Sequence, residues 1–126
     1  MPTAPSSPVE SFPARLQLVA LCAEWCSHCV AWRPVFEAVA GADPQGRAAR
    51  WIDIEDEAEL LDQAGVEVQT FPFVLVAVGG EPRFLGPVGP AAGALERLLV
   101  AAPGLPALAH PRHEALRALL PLSAAP

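Results

Sequence analysis

Two cysteines three residues apart, Cys26 and Cys29, stand where an apolar, strand-like run gives way to a helical one. Residues 16–21, Leu-Gln-Leu-Val-Ala-Leu, are short and apolar, the pattern of a buried strand. From residue 30 to 40 the apolar positions Val30, Pro34, Val35, Ala38 and Val39 recur at helical spacing, and Gly41 follows as a stop. The first cysteine therefore falls at a helix N-terminus, where unpaired backbone N–H groups and the helix dipole favour a thiolate. The second returns one turn later on the same side, near enough to close a small disulfide ring. Thiol–disulfide exchange needs one low-pKa attacking sulfur and a second to release the mixed disulfide. Cys26 suits the first role and Cys29 the second.

The same spacing also serves as half of a zinc site or as a structural staple. Structural zinc takes four Cys or His ligands. The further candidates are Cys22, His28, His110 and His113, and there is no second CxxC. A static staple belongs with small secreted chains more than with one able to bury its own core.

Downstream, residues 49–54 read as a second buried strand with Trp51 and Ile52 as its bulk. Residues 57–64 read as a helix with an acidic first turn, ended by Gly65. The apolar run 73–78, the Gly79-Gly80 pair and residues 83–85 together signal a hairpin. Residues 91–102 place Leu95, Leu98 and Leu99 on one helical face. Strand, helix, strand, helix, hairpin, helix is an α/β layer arrangement.

Across residues 15–102 the chain resembles the thioredoxin family, and several separated motifs carry the likeness. Ala23-Glu24-Trp25-Cys26 with Cys29 resembles the active-site motif, and Pro34 the proline of the active-site helix. Phe71-Pro72 resembles the segment bearing the cis-proline, Val78-Gly79-Gly80-Glu81 the hairpin turn, and Val88-Gly89 the glycine before the last helix. The resemblance implies a thioredoxin-like fold, a central mixed β-sheet flanked by helices. It also implies a thiol–disulfide oxidoreductase that works through a redox-active Cys26–Cys29 disulfide with no other cofactor. Its partners would be cysteine-containing protein substrates and an electron donor or acceptor that the sequence does not identify. Trp25, His28, Phe71 and Pro72 would support the site, Pro72 through a cis bond that leaves the Phe71 backbone to pair with an extended substrate. His28 either lends positive charge to the Cys26 thiolate, making the disulfide more oxidising, or is a solvent-exposed spacer.

Several positions depart from the family pattern. Ala20 stands at the place of a buried acid, Trp51 at that of its partner lysine, and Phe73 at that of a threonine after the proline. Glu24 reads as an exposed carboxylate. Cys22, where the family has a tryptophan, is either a small buried hydrophobe or a third redox sulfur able to exchange with Cys26. These departures also allow a binding or chaperone-like module with weak or lost redox turnover. A metal carrier using Cys26 and Cys29 is a third possibility.

A net charge of −6 leaves no basic patch to meet phosphates, so no nucleic-acid role is expected. The absence of lysine removes a P-loop and Schiff-base chemistry. Residues 1–13 hold four prolines and no long apolar run, which predicts a cytoplasmic protein without a membrane span. The expected organisation is a Pro/Ser-rich tail at 1–14, the thioredoxin-like domain at 15–102, and a linker and extra helix at 103–126. The tail is too short to supply the family's first helix, which is expected to be reduced. Asp53, Glu55, Asp56, Glu57 and Glu59 form an acidic run that reads as a solvated helix start.

Overall fold

The computed structural model describes residues 15–42 and 48–121. The expectations for the 1–14 tail and the reduced first helix lie outside the described residues. Strand β1 (Leu16–Cys22) leads to helix α1 (Ser27–Ala40), then strand β2 (Ala48–Asp53) and helix α2 (Ala58–Ala64). Strands β3 (Phe73–Val78) and β4 (Glu81–Pro87) form a hairpin, followed by helix α3 (Ala92–Ala101). A short helix α4 (His113–Leu116) and a 3₁₀ turn (Arg117–Leu119) close the described chain.

The sheet order is β2-β1-β3-β4, with β1 parallel to β2 and antiparallel to β3, and β3 antiparallel to β4. This is the expected mixed sheet with flanking helices. Strands β1 and β3 lie in the middle and are covered on both sides, so they read as nearly continuous apolar runs rather than alternating ones. The β3–β4 hairpin turns through Gly79 (φ 58°) and Gly80 (φ 85°), two successive positive-φ positions that glycine fills without steric cost. Gln17, buried on β1, accepts a hydrogen bond from the Gly80 N–H and so keeps its amide paired.

Alternation along β1 divides the core in two. Leu18, Ala20 and Cys22 face a cluster with Cys26, Cys29, Trp32, Phe36, Leu95 and Leu99, brought by α1 and α3. Val19 and Leu21 face the opposite cluster with Ile52, Leu61, Leu75, Leu116 and Leu119, brought by α2 and the C-terminal turns. The segment after residue 102 is therefore built into the core. Arg83 ties its start down by donating from Nη1 to the carbonyls of Leu105 (2.6 Å) and Pro103 (3.1 Å). Arg50 donates to the Leu119 carbonyl at 3.2 Å near its end.

One expectation about α1 is corrected. Its buried residues are Cys29, Trp32, Phe36 and Val39, whereas Val30, Pro34 and Ala38 are exposed. The inward face is set by the two large aromatic rings, which bury more area than a valine, proline and alanine set could.

Candidate active site

The C-terminal end of β1, the N-terminus of α1 and the cis Phe71–Pro72 peptide meet at one edge of the sheet. Cys26 is the N-cap of α1, extended at φ −90°, ψ 119°, with no side chain capping the first turn. Its carbonyl accepts from the N–H groups of Cys29 (3.0 Å) and Val30 (3.1 Å), which closes that turn. The first helical turn thus presents its positive end to the Cys26 side chain.

The sulfurs are arranged differently from the sequence expectation in two respects. Cys29 is bonded to Cys22, with the two Cα atoms 5.7 Å apart, and Cys26 is the free thiol. The Cys26–Cys29 bond expected from the motif is not the bond present. The end of β1 runs directly beneath the first turn of α1, so the last strand residue reaches the buried side of the helix as readily as the N-cap does. Cys22 is buried as expected, but as a bonded sulfur rather than a bystander. Cys26 is also less open than expected, at 8% exposure, because a turn from the Ala23 carbonyl to the Cys26 N–H (3.1 Å) folds it back onto the strand end. It is still the most accessible of the three sulfurs, since Cys22 is 0% and Cys29 1% exposed. The Ala23 N–H points at Cys29 Sγ at 3.3 Å, a backbone donor placed on the innermost part of the site.

Around the sulfurs the surface is apolar with an acidic rim. Trp25, 65% exposed, stands edge-on to Phe71 with ring centroids 5.9 Å apart, and its indole N–H donates to Glu55 at 2.9 Å. His28, Ala31, Trp32, Phe71, Pro72 and Pro90 line a groove of about 280 Å³ beside the cysteine turn. All four expected supporting residues, Trp25, His28, Phe71 and Pro72, thus lie around this edge. His28 is exposed on the groove wall, the position of a spacer open to solvent.

Asp53 was expected only as part of a solvated acidic run, and the structure gives it a positioning task. It ends β2, and its carboxylate accepts N–H bonds from Glu55 (2.8 Å), Glu24 (3.0 Å) and Asp56 (3.2 Å). Partial burial alone would raise its pKa, but these three donors outweigh that and hold the carboxyl below its ordinary value. Asp53 so binds the loop that carries Trp25 to the loop that carries Glu55. An aspartate at a strand end before a turn is the sequence signal for such a bond. Glu24, Asp53 and Asp56 bring oxygens within 4.8 Å of one another, the only such cluster among the described residues. Glu24 is exposed, as expected. Of the histidines weighed as zinc ligands, His28 lies beside the cysteines, whereas His110 packs next to Gly65 at the end of α2.

Beneath the cysteines, Ala20 is fully buried and pairs in register with Trp51 on β2. Trp51 packs against Trp32 (6.0 Å) and Phe36 (5.5 Å), and the Arg33 guanidinium lies 4.7 Å over its ring. The places of the family's acid and lysine thus hold a buried methyl group and an aromatic ring, with no proton carrier on β1 below the motif.

No protein-family model and no curated protein matches the sequence. Solved structures do. A mutant thioredoxin from Halobacterium salinarum is 24% identical, with a TM-score of 0.58 over 71% of this chain and 75% of that one. The thioredoxin of Fasciola hepatica is 21% identical, with a TM-score of 0.59 over 75% and 86%. The oxidised thioredoxin of Plasmodium falciparum is 21% identical, with a TM-score of 0.56 over 69% and 80%. The chain therefore has the thioredoxin fold. No helix among the described residues is long and apolar enough to cross a membrane.

Proposed function

We propose that this protein is a thiol–disulfide oxidoreductase acting on cysteine-bearing proteins, with Cys26 as the nucleophile. The observation that carries the reading is a free thiol on the helix N-cap residue, beside a buried disulfide at the edge where the cis-proline groove opens. A thiolate at that helix end attacks one sulfur of a substrate disulfide, and the other sulfur leaves as a thiolate that is then protonated from solvent. Cys29, one turn deeper, is the sulfur placed to attack Cys26 and release the substrate. The apolar groove and the exposed Trp25–Phe71 pair suit an extended segment flanking the target cysteine.

A second reading is favoured by a specific feature: Ala20 opposite Trp51 leaves β1 without a proton acceptor under the motif, as in a binding module with slow turnover. Reduction of insulin by dithiothreitol, followed with and without the protein, separates the two. Acceleration that disappears in Cys26→Ser supports the oxidoreductase. Background rates for the wild-type protein would reject it in favour of the binding module.

A further inference from the structure

We propose that Cys22 is a third exchange residue, and that Cys29 is the shared sulfur of two alternative disulfides, Cys26–Cys29 and Cys22–Cys29. The relay rests on the exchange activity proposed above and deepens it. The three sulfurs form a graded series in one apolar cluster: Cys26 at the surface edge, Cys29 one helical turn in, and Cys22 fully buried at the strand end. Cys29 is bonded to Cys22 and stands one helical turn after Cys26. Its N–H bonds the Cys26 carbonyl at 3.0 Å, and its Cα is 5.7 Å from that of Cys22 with the sulfurs joined.

In the reduced protein the Cys26 thiolate attacks a substrate disulfide; a Cys26–substrate bond forms, and one substrate sulfur leaves and is protonated. Cys29 loses its proton and attacks Cys26 Sγ, which releases the second substrate sulfur as a thiol and makes Cys26–Cys29. Cys22 then loses its proton and attacks Cys29 Sγ; the Cys22–Cys29 bond forms, and Cys26 leaves as a thiolate. The net change is two electrons from Cys22 and Cys29 to the substrate disulfide, with Cys26 returned to its starting state.

The last step runs inward for a physical reason. A thiol at a helix N-terminus is the better leaving group, while a thiolate in apolar surroundings is disfavoured. Exchange therefore places the bond on the buried sulfur and leaves Cys26 unbonded, the arrangement the structure has. The Ala23 N–H at Cys29 Sγ stabilises the charge that Cys29 carries while it attacks. An oxidised molecule keeps its nucleophile. Cys26 can then engage a second disulfide while Cys29 is occupied, and a thiol of that substrate resolves the adduct, which is isomerisation.

The test is to oxidise the full chain with oxidised glutathione, block free thiols with N-ethylmaleimide under denaturing conditions, and cleave after Glu24. That cut separates Cys22 from the other two cysteines. The relay expects two peptides joined through Cys22 and Cys29, with the label on Cys26. It also expects iodoacetamide to alkylate Cys26 of the oxidised wild-type protein about tenfold or more faster than in oxidised Cys22→Ala, where Cys26 is held by Cys29. Label on Cys22 with Cys26 joined to Cys29, in a protein that still accelerates insulin reduction, would overturn the relay alone. Equal alkylation of Cys26 in the two oxidised proteins would do the same. A wild-type protein that maps as Cys22–Cys29 but accelerates nothing would overturn the exchange reading and the relay with it.

Discussion

The two faces of the sheet are both closed by apolar side chains, yet they are built from different materials. The first carries three sulfurs, two tryptophans and Phe36 under α1 and α3. The second is aliphatic apart from Phe73, with Leu21, Ile52, Leu61, Leu75, Leu116 and Leu119 in one cluster, and it is sealed by residues after 102. Polarizable, reactive groups sit where the helix end and the groove beside Pro72 open; the opposite side is mostly hydrocarbon. Stability and chemistry are thereby assigned to opposite sides of β1, residue by alternate residue.

Substitutions on each side should come apart in their effects. The largest expected change is on the sulfur face: Cys26→Ser should bring insulin reduction to background while leaving the urea unfolding midpoint close to that of the reduced wild-type protein. On the other face, Leu116→Ala removes a fully buried side chain and should cost about 2–5 kcal/mol of unfolding free energy. Its exchange rate per folded molecule should not change; a parallel fall in both would show that the faces are coupled. Ala20→Asp bridges the comparison, since it puts a carboxylate among the sulfurs without a partner. It should cost roughly 1–3 kcal/mol and speed release of the mixed disulfide, which rapid-mixing kinetics would read as a smaller build-up of adduct. An adduct that never accumulates in the wild-type protein at neutral pH would show that proton removal from Cys29 is not limiting.

The smallest effect is expected at Asp53, at the rim of the sulfur face. Its folded pKa lies below its unfolded value, so the stabilisation it gives is complete above the unfolded pKa and is lost as pH falls through the folded one. Asp53→Asn should therefore unfold more easily than wild type at neutral pH, and the gap should close in acid. A gap that persists unchanged at low pH would mean that the three N–H bonds do not depend on the charge.

Much of this was legible in the chain. The run 73–78 and the Gly79-Gly80 turn read directly, because period and turn chemistry are local. The helix at 92–101, with Leu95 and Leu99 turned inward, reads for the same reason. The face of α1 did not, since Val30 and Trp32 compete for the interior and only the packed partners Trp51 and Phe36 decide between them. The Cys22–Cys29 bond is invisible to spacing because it joins a strand to a helix across a turn, and motif reasoning favours the nearer sulfur. Asp53 was hidden in an acidic run in which Glu55, Asp56 and Glu59 are exposed and Glu57 is half-buried.

The sealing of the second face has a consequence for how the chain is made. Arg50 finds its carbonyl partner sixty-nine residues later, at Leu119, and Leu116 and Leu119 are the covering pieces for Val19 and Leu21. During synthesis β1, β2 and the β3–β4 hairpin all emerge before that cover exists. The nascent sheet must wait with its aliphatic side covered only by α2 while the sulfur side can already be closed by α1 and α3. Contacts of such long sequence separation are made late and slowly. The exposed hydrocarbon of that interval, rather than the cysteines, is then the surface a chaperone would meet first.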